Sequence, residues 1–411
     1  MGPKSTVEAP WSMSSDHISV GCFVTQYPYP GQFRGDNEYF CSGAERVARN
    51  LSEAVNGERF DVSAVTSSSA QRYETMDQNG VTVYRSPSFH TINTTELAPT
   101  LLIDRLSERF DIVHAHNSTP PGVMAAVCYA AVHDVPLVIT HHGGENYETH
   151  GGLGRRVGLY FYTQYLIDTM FARADVVVSP SEGYTEESRA LSTYDGDLRT
   201  IPNGIDMDPY DDGVSRAEAK CRLGFEPSDT VLLYLGSHHP RKGVNVLLDS
   251  FVELVGRRPD EDLRLVLAGS GQETDDLRRT ATGSGVGDLV RFPGFVPETD
   301  KPLYMTAADL FVLPPVTAAA EVYPLVILEA AAGGTPVVAS DFPTLRSVVE
   351  PNDIGRLVEA CDSGALARTI EALVDDPAEL EVLSANARRF AEAHRWSRIA
   401  EEYAALYEEL L

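Results

Sequence analysis

The sequence is built from short apolar runs that alternate with amphipathic helical segments. A typical helical segment, 42–55, carries its apolar side chains three or four residues apart. Buried strands that alternate with helices are typical of parallel sheets covered on both faces. An acidic segment, 206–214, interrupts the series and predicts two α/β units joined by a linker. The predicted strands are 17–24, 62–66, 81–86, 111–116, 136–142, 230–237, 263–271, 290–297, 309–315, 337–339 and 355–359, and the segments 174–183 and 198–206 close the first unit.

Composition narrows the classes of function. Acidic residues outnumber basic ones by 60 to 33, the net charge is −27, and only four basic residues are lysines. Such a surface is typical of a high-salt cytoplasm, where charges are strongly screened; an acidic protein from ordinary conditions is the alternative. No basic stripe appears, so no nucleic-acid partner is expected. The five cysteines are scattered without a metal or disulfide spacing, and no apolar run approaches the roughly 20 residues of a membrane span.

Two glutamates, Glu321 and Glu329, lie on either side of a predicted loop-to-helix junction. The preceding apolar run, 309–315, ends in a double proline that stops the strand, and Pro324 suits the first turn of the next helix. One carboxylate would lie in the loop and the other in the first helical turns, at the carboxyl edge of a parallel sheet. Open α/β sheets bind ligands at that edge. Carboxylates beside a helix N-terminus suit a ligand with several hydroxyls and a phosphate.

The stretch 314–340 resembles the E-x7-E segment of the retaining GT-B glycosyltransferases of family 4. The resemblance implies that Glu321 faces the donor sugar and that Glu329 holds the ribose of the nucleotide. Taken alone, the pair would indicate one solvated glutamate and one that favours the helix dipole. The family often has Gly-Phe-Gly after the first glutamate, and the proline found here removes one amide donor. The resemblance assigns three more residues to the donor site: Tyr323, Pro324 and Leu325.

A second segment, GSHHPRKG (236–243), resembles the family pattern Gly-Arg-x4-Lys-Gly, whose arginine and lysine clamp the diphosphate. Gly236 and Lys242 match, whereas Ser237 replaces the arginine, and Arg241 is the candidate to supply that charge. A lysine in a chain that otherwise uses arginine indicates that a compact charge is needed. The alternative is a solvated pair of cations, which a helix N-terminus disfavours without an anion. The resemblance also implies a loop that presents backbone groups to the nucleotide base, here Phe295 and Val296.

The first half of the chain supplies the other side of the predicted site. Ser42 and Gly43 begin a turn that resembles the family's Gly-Gly-Ala-Glu-Arg. The resemblance implies that Gly43 lets the main chain approach the diphosphate or the acceptor. The alternative is that Gly43 only tightens the turn between the strand and the helix. His142 lies in a turn that resembles Thr-x-His-Gly, whose histidine approaches the transferring sugar. His141 is the alternative position, and a buried hydrogen-bonded histidine is the alternative role. The nearby histidines lack the spacing of a zinc site, so no metal is predicted.

The aromatic segment 151–174 is expected to pack inside its domain rather than to dock on a membrane or a lipid-linked acceptor. The resemblance covers about residues 17–411 and implies the GT-B fold, two Rossmann-like domains that face a cleft. The predicted divisions are a disordered leader (1–15), an N-terminal acceptor domain (16–205), a linker with the start of the second domain (206–229), a C-terminal nucleotide-sugar domain (230–385) and a C-terminal helix that crosses back (386–411).

The implied reaction is transfer of a sugar, with retention, from a nucleoside-diphosphate sugar to a glycan, lipid-linked or small-molecule acceptor. Glu321 would position the sugar rather than attack it, and neither a metal nor a cofactor beyond the donor is expected. A nucleotide-sugar epimerase of the same fold and a non-catalytic nucleotide-sugar binding protein are the alternatives. A dehydrogenase is disfavoured, because no GxGxxG follows the first strand. The expected setting is cell-surface glycan synthesis in the cytoplasm, with peripheral contact at the inner membrane face as a further candidate.

Overall fold

The computed structural model describes residues 17–30, 42–70, 72–92, 95–103, 106–143, 160–259, 261–318 and 321–411. The predicted leader and the first part of the aromatic segment lie outside these ranges. The described chain forms two α/β domains, each built on its own parallel sheet.

The N-terminal domain contains ten of the described strands. They are β1 (Ile18–Phe23), β2 (Phe60–Ser68), β3 (Glu74–Gln78), β4 (Val81–Pro87), β5 (His90–Ile92), β6 (Thr95–Leu97), β7 (Ile112–Asn117), β8 (Leu137–His141), β9 (Val176–Ser179) and β10 (Leu198–Thr200). Eight of them form one sheet in the order β10-β9-β8-β7-β1-β2-β4-β3, and β5 pairs with β6 in a separate hairpin. Only β3 and β4 pair antiparallel within the large sheet.

The helices of this domain are α1 (Gly43–Val55), α2 (Pro120–His133), α3 (Ile167–Phe171), α4 (Glu182–Glu187) and α5 (Arg189–Ser192), with a π-helical turn (Tyr162–Leu166) before α3. Ser42 caps α1, because its main-chain N–H donates to Glu45 Oε2 at 2.6 Å and its hydroxyl accepts from the N–H of Ala44. Ala48, Leu51 and Val55 of α1 are buried in one core with side chains of the sheet. The cap fixes where α1 begins, and so places its first turn at the carboxyl edge of β1.

The C-terminal domain has a six-stranded sheet in the order β13-β12-β11-β14-β15-β16, and every pair is parallel. Its strands are β11 (Thr230–Leu235), β12 (Leu263–Ala268), β13 (Val290–Gly294), β14 (Leu310–Leu313), β15 (Val337–Ser340) and β16 (Gly355–Val358). Its helices are α6 (Arg216–Arg222), α7 (Val244–Arg257), α8 (Thr274–Gly283), α9 (Lys301–Ala307), α10 (Leu325–Ala332), α11 (Pro343–Asn352), α12 (Ser363–Val374) and α13 (Pro377–Ala393).

The last helix, α14 (Trp396–Leu410), packs in the N-terminal domain. Ile399, Tyr403 and Tyr407 are buried in its core, and the Tyr403 hydroxyl lies 3.0 Å from Thr140 Oγ1. The predicted division at 385/386 falls inside α13, whose buried residues belong to the C-terminal core. The predicted boundary is therefore wrong by about half a helix, because the chain crosses between the domains only after α13 ends.

The two crossings between the domains lie side by side. The N–H of Ile205 donates to the His394 carbonyl at 2.8 Å, and the N–H of Trp396 donates to the Ile205 carbonyl at 3.2 Å. The linker and the return crossing therefore form one two-stranded connection, at which the domains are joined.

The aromatic segment shows two faces where it is described. Tyr162, Ile167 and Phe171 are buried, as packing inside the domain requires. The other face is solvent-exposed and consists of Tyr160, Phe161, Tyr165 and Leu166. Packing alone therefore does not account for this segment. In the described part of the chain, no helix has both the length and the apolar character that crossing a bilayer requires.

Candidate active site in the interdomain cleft

A cleft of about 900 Å³ lies between the domains. This volume is within the range of roughly 300–1,000 Å³ typical of small-molecule sites. The cleft is bounded by the first turn of α1, the linker, the loops after β11, β12 and β13, and the starts of α9 and α10. It lies at the carboxyl edges of both sheets, where such sheets bind ligands. Eight of the predicted site residues line it: Ser42, Gly43, Gly236, Ser237, Phe295, Val296, Leu325 and Glu329.

Glu329 lies on α10 with its carboxylate buried at the floor of the cleft. Its Oε1 accepts a hydrogen bond from Lys301 Nζ at 3.0 Å. Its Oε2 is buried and has no hydrogen-bond partner among the described residues. A buried carboxylate oxygen without a donor is unfavourable by about 1–3 kcal/mol or more. The site is therefore suited to a ligand that brings a hydroxyl to Oε2.

Three charged residues that the sequence analysis did not assign surround Glu329. Lys301 Nζ also lies 2.8 Å from Glu298 Oε1, and Arg46 Nη1 lies 2.6 Å from the same oxygen. Arg46 Nη1 is 3.8 Å from Glu329 Oε1. Burial alone would raise the pKa of Glu298, but the charges of Arg46 and Lys301 lower it below its usual value. The end of the cleft around Glu329 thus contains two acidic and two basic side chains drawn from both domains.

Glu321 and Lys242, predicted to share the groove with Glu329, instead bind each other. Lys242 Nζ lies 2.5 Å from Glu321 Oε1, their side chains are 18% and 12% exposed, and neither lines the cleft. The backbone explains the pairing. Gly243 has a φ of +68°, and a Cβ there would lie 1.9 Å from the Pro314 carbonyl oxygen, so the lysine loop packs directly on the loop that carries Glu321.

His142 follows β8 and faces a second histidine. Its Nε2 lies 2.9 Å from His116 Nδ1, and the two rings stack with centroids 5.2 Å apart. Burial, with a smaller contribution from His141, lowers the pKa of His142 to about 3, so its ring is neutral at pH 7. The predicted alternative, His141, is fully buried with its Nδ1 3.0 Å from Asn117 Nδ2. His142 is thus the more accessible of the two.

The turn after His142 meets the loop of Glu321 across the domain boundary. Gly143 has a φ of +97°, and a Cβ there would lie 2.8 Å from Val322 Cγ2. The turn of His142 and the Glu321–Lys242 pair therefore belong to one region beside the cleft lining, which we call the transfer end. In the described residues, no group of three or more His, Cys, Asp or Glu side chains is arranged to hold a metal ion.

Comparison with known families gives two matches. Residues 41–209 match the family described as Glycosyltransferase Family 4, and residues 215–390 match the one described as Glycosyl transferases group 1. D-inositol 3-phosphate glycosyltransferase 1 of Catenulispora acidiphila is 31% identical over 309 residues, which cover 72% of each chain. This chain belongs to the family 4, group 1 glycosyltransferases. The glycosyltransferase is also 30% identical over 300 residues to the phosphatidyl-myo-inositol mannosyltransferase of Mycolicibacterium smegmatis, with 73% and 71% of the two chains covered.

Solved structures support the same fold for the glycosyltransferase. Sucrose-phosphate synthase of Thermosynechococcus elongatus superimposes with a TM-score of 0.73 over 96% of this chain and 99% of that chain, at 21% identity. HepE of Anabaena, solved with UDP and glucose, gives a TM-score of 0.69 over 96% and 100% of the two chains, at 20% identity. The predicted GT-B fold is confirmed.

The remaining predicted residues of the glycosyltransferase lie beside the cleft rather than in its lining. Pro324 caps α10 from an extended conformation, so the prediction that it lies in the first helical turn is wrong by one position. Tyr323 is half-buried, and burial raises the pKa of its hydroxyl. Arg241 lies in a 3-10 turn, and its Nε is buried without a hydrogen-bond partner in the described chain. Its carbonyl accepts from the N–H of Val316 at 3.0 Å.

Proposed function

We propose that this glycosyltransferase takes its sugar from a nucleoside-diphosphate sugar, retains the configuration at the anomeric carbon and needs no metal ion. The observation that carries the proposal is the buried Oε2 of Glu329 in the cleft, which has no hydrogen-bond partner among the residues that the structure describes. Ribose hydroxyls are neutral donors that would satisfy it without adding charge. Phe295, exposed at the same end of the cleft, offers a face for the nucleotide base.

The transfer end supplies the groups that the sugar and the diphosphate need. Without a ligand, Lys242 and Glu321 neutralise each other. When the donor binds, its phosphate competes with Glu321 for Lys242, and the sugar hydroxyls replace the lysine on the Glu321 carboxylate. This exchange leaves both charged groups with hydrogen-bonding partners, and it directs Lys242 to the leaving group as negative charge develops there. The N-terminus of α10, beside the cleft, favours the same charge.

Retention in this scheme needs no covalent bond to Glu321. In the donor complex the Glu321 carboxylate would accept hydrogen bonds from the sugar hydroxyls, which orient the sugar and make the carboxylate a weaker nucleophile. His142 is neutral at pH 7, so it would form a hydrogen bond to the sugar without adding a charge next to the reacting carbon. Closure of the cleft would exclude water and favour the acceptor over hydrolysis.

The acceptor class that we propose is a hydroxyl-rich phosphate or lipid-linked molecule, as the names of the two curated relatives indicate for those proteins. The exposed aromatic face supports contact with a lipid surface. Phe161 and Tyr165 lie with ring centroids 5.9 Å apart, and both are more than half exposed. Aromatic side chains favour the interface between lipid and water. We propose that the enzyme acts at high salt in the synthesis of a cell-surface glycan. The acidic, lysine-poor composition supports the high salt concentration.

A thermal-shift screen with UDP, GDP, ADP and their sugars at molar salt tests the donor assignment. A nucleotide present at about 100 times its Kd should stabilise the wild type by about 2.7 kcal/mol. The Glu329→Gln variant should fold, bind that nucleotide much more weakly and transfer little sugar. Wild-type transfer by Glu329→Gln would remove the assignment.

The products distinguish the alternatives. NMR of the donor incubated with and without acceptor should show an α-linked product from an α-linked donor. Release of a free isomerised nucleotide-sugar would indicate an epimerase, and binding without turnover would indicate a non-catalytic protein; the comparisons give the epimerase no support.

A further inference from the structure

Four charged residues form one connected group around Glu329, at what we call the nucleotide end of the cleft. We call this group the cleft network: Arg46, Glu298, Lys301 and Glu329. Arg46 comes from α1 of the N-terminal domain, and the other three come from the C-terminal domain. Glu298 Oε1 receives both Arg46 Nη1 at 2.6 Å and Lys301 Nζ at 2.8 Å. Lys301 also contacts Glu329 Oε1 at 3.0 Å. All four residues line the cleft.

Lys301 fixes which oxygen of Glu329 faces a ligand. Lys301 and Glu329 are each 6% exposed, so neither charge can rely on water. The ammonium group bonds Oε1 alone, and Oε2 is left buried without a partner in the described chain. Lysine, a compact charge with three donors, can contact two carboxylates at once, whereas this chain otherwise uses arginine for most of its ion pairs.

Arg46 changes the charge of the site when the domains meet. Glu298, Lys301 and Glu329 together carry a net charge of −1, which opposes a diphosphate. With Arg46 against Glu298, the cleft network is neutral. A negatively charged donor therefore binds better to the closed state, and by reciprocity a bound donor favours closure.

We propose that Lys301 is a positioning residue that holds Glu329 for the ribose, and that Arg46 and Glu298 form a latch that couples donor binding to closure of the cleft. The proposal rests on the proposed function, because it takes Glu329 as the ribose-binding residue. The low pKa of Glu298, which Arg46 and Lys301 maintain against burial, agrees with a permanently charged partner for the latch.

Ribose discrimination tests the role of Lys301. Kd is measured for whichever of UDP, GDP and ADP binds most tightly and for the 2′,3′-dideoxy analogue of that nucleotide. The ratio of the two Kd values is then compared between the wild type and the variants. A site that bonds a hydroxyl rejects the analogue that lacks it, so the wild type should prefer the ribonucleotide by tenfold or more. In Lys301→Met the preference should fall at least fivefold, and Lys301→Arg, which keeps the charge, should recover part of it. A purely structural lysine would change the melting temperature and leave this ratio unchanged.

A double-mutant cycle tests the latch. Arg46→Gln should raise the KM for the donor roughly fivefold, because it breaks the latch and leaves the cleft network with a net charge of −1. Glu298→Gln breaks the latch but leaves a net charge of +1, so it should raise the KM less. Both variants should increase donor hydrolysis relative to transfer. The double variant should show no more hydrolysis than either single variant, because both single changes break the same contact between Arg46 and Glu298. Arg356→Gln, which loses contacts to Asp353 and Glu379 within the C-terminal domain, is the matched control and should leave KM unchanged.

The outcomes separate the two proposals. Failure of the wild type to bind any of the nucleotides overturns the proposed function and this inference with it. Two outcomes would overturn this inference alone, provided that the wild type binds a nucleotide. One is a ratio of Kd values that is unchanged in Lys301→Met and Lys301→Arg. The other is a double variant of Arg46 and Glu298 whose effect is the product of the two single effects.

Discussion

Acidification should destabilise the N-terminal domain through three adjacent histidines. Burial lowers the pKa of His114 and of His142 to about 3, and it lowers that of His116 well below its ordinary value, with smaller contributions from the neighbouring histidines. His114 also anchors α14, because its Nδ1 lies 2.6 Å from the Tyr407 hydroxyl. Protonation of this group would therefore loosen the contact between β7 and the last helix.

The sign and the size follow from linkage. Each histidine takes up a proton near pH 6.5 in the unfolded chain. In the folded chain, His114 and His142 take it up only near pH 3, and the pKa of His116 is also well below its ordinary value. The unfolded state binds more protons between these values, so stability is greatest above pH 6.5 and is lost as the pH falls. From about pH 7.5 to about pH 5.5 the loss is about 1.3 kcal/mol per histidine and about 4 kcal/mol for the three. This is a large part of the roughly 5–15 kcal/mol that stabilises a domain.

Urea unfolding followed by tryptophan fluorescence measures the effect, because Trp396 stands where α14 begins. Molar salt is needed to screen the net charge of −27, whose repulsion also varies with pH. In His142→Gln the loss of stability between the two pH values should be smaller by about one third, with a variant of the exposed His90 as the matched control. Equal losses in the wild type and His142→Gln, or a wild type whose stability does not change with pH, would refute the reasoning.

Two further predictions concern the transfer end and the exposed aromatic face. Lys242→Met should slow transfer about 10²-fold, because a donor to the leaving group is lost, and should destabilise the fold by roughly 1–3 kcal/mol, because Glu321 is left unpaired. The double variant Lys242→Met/Glu321→Gln should regain the melting temperature but not the activity; recovery of activity would show that the lysine only neutralises the glutamate. Replacing Phe161 and Tyr165 by serine should reduce co-sedimentation with phosphatidylcholine vesicles and leave transfer to a water-soluble acceptor unchanged. Equal sedimentation of variant and wild type would exclude this face as a lipid contact.

The parallel strands could be predicted because strands buried on both faces are continuous apolar runs, as Leu137–His141 and Leu310–Leu313 show. The antiparallel edge strand Glu74–Gln78 was missed, since it is polar on alternate residues and borders solvent. Its signal was nevertheless present. Asn79 and Gly80 both have positive φ, 52° and 84°, and Asn-Gly between two strands is the typical two-residue hairpin turn.

The site could be predicted only as far as local motifs extend. Glu329, Ser42 and Gly236 were identified by short patterns whose backbone geometry is local, and all three line the cleft. Arg46 and Lys301 were not assigned, because their roles depend on contacts between residues far apart in the chain. The pairing of Lys242 with Glu321 has the same origin, since spacing along a sequence does not show which opposite charge a side chain meets.

The position of the hinge connects the two ends of the cleft. The chain crosses between the domains where Ile205 bonds to the return crossing at His394 and Trp396, so a simple relative movement is a rotation about that connection. Under the proposed mechanism, one rotation brings Arg46 to Glu298 at the nucleotide end and the turn of His142 to the loop of Glu321 at the transfer end. Contacts to the nucleotide then help to assemble the groups around the sugar, although the residues that make those contacts do not touch the sugar. A donor without its nucleotide would therefore lose kcat as well as affinity, because the binding energy that closes the cleft would be missing.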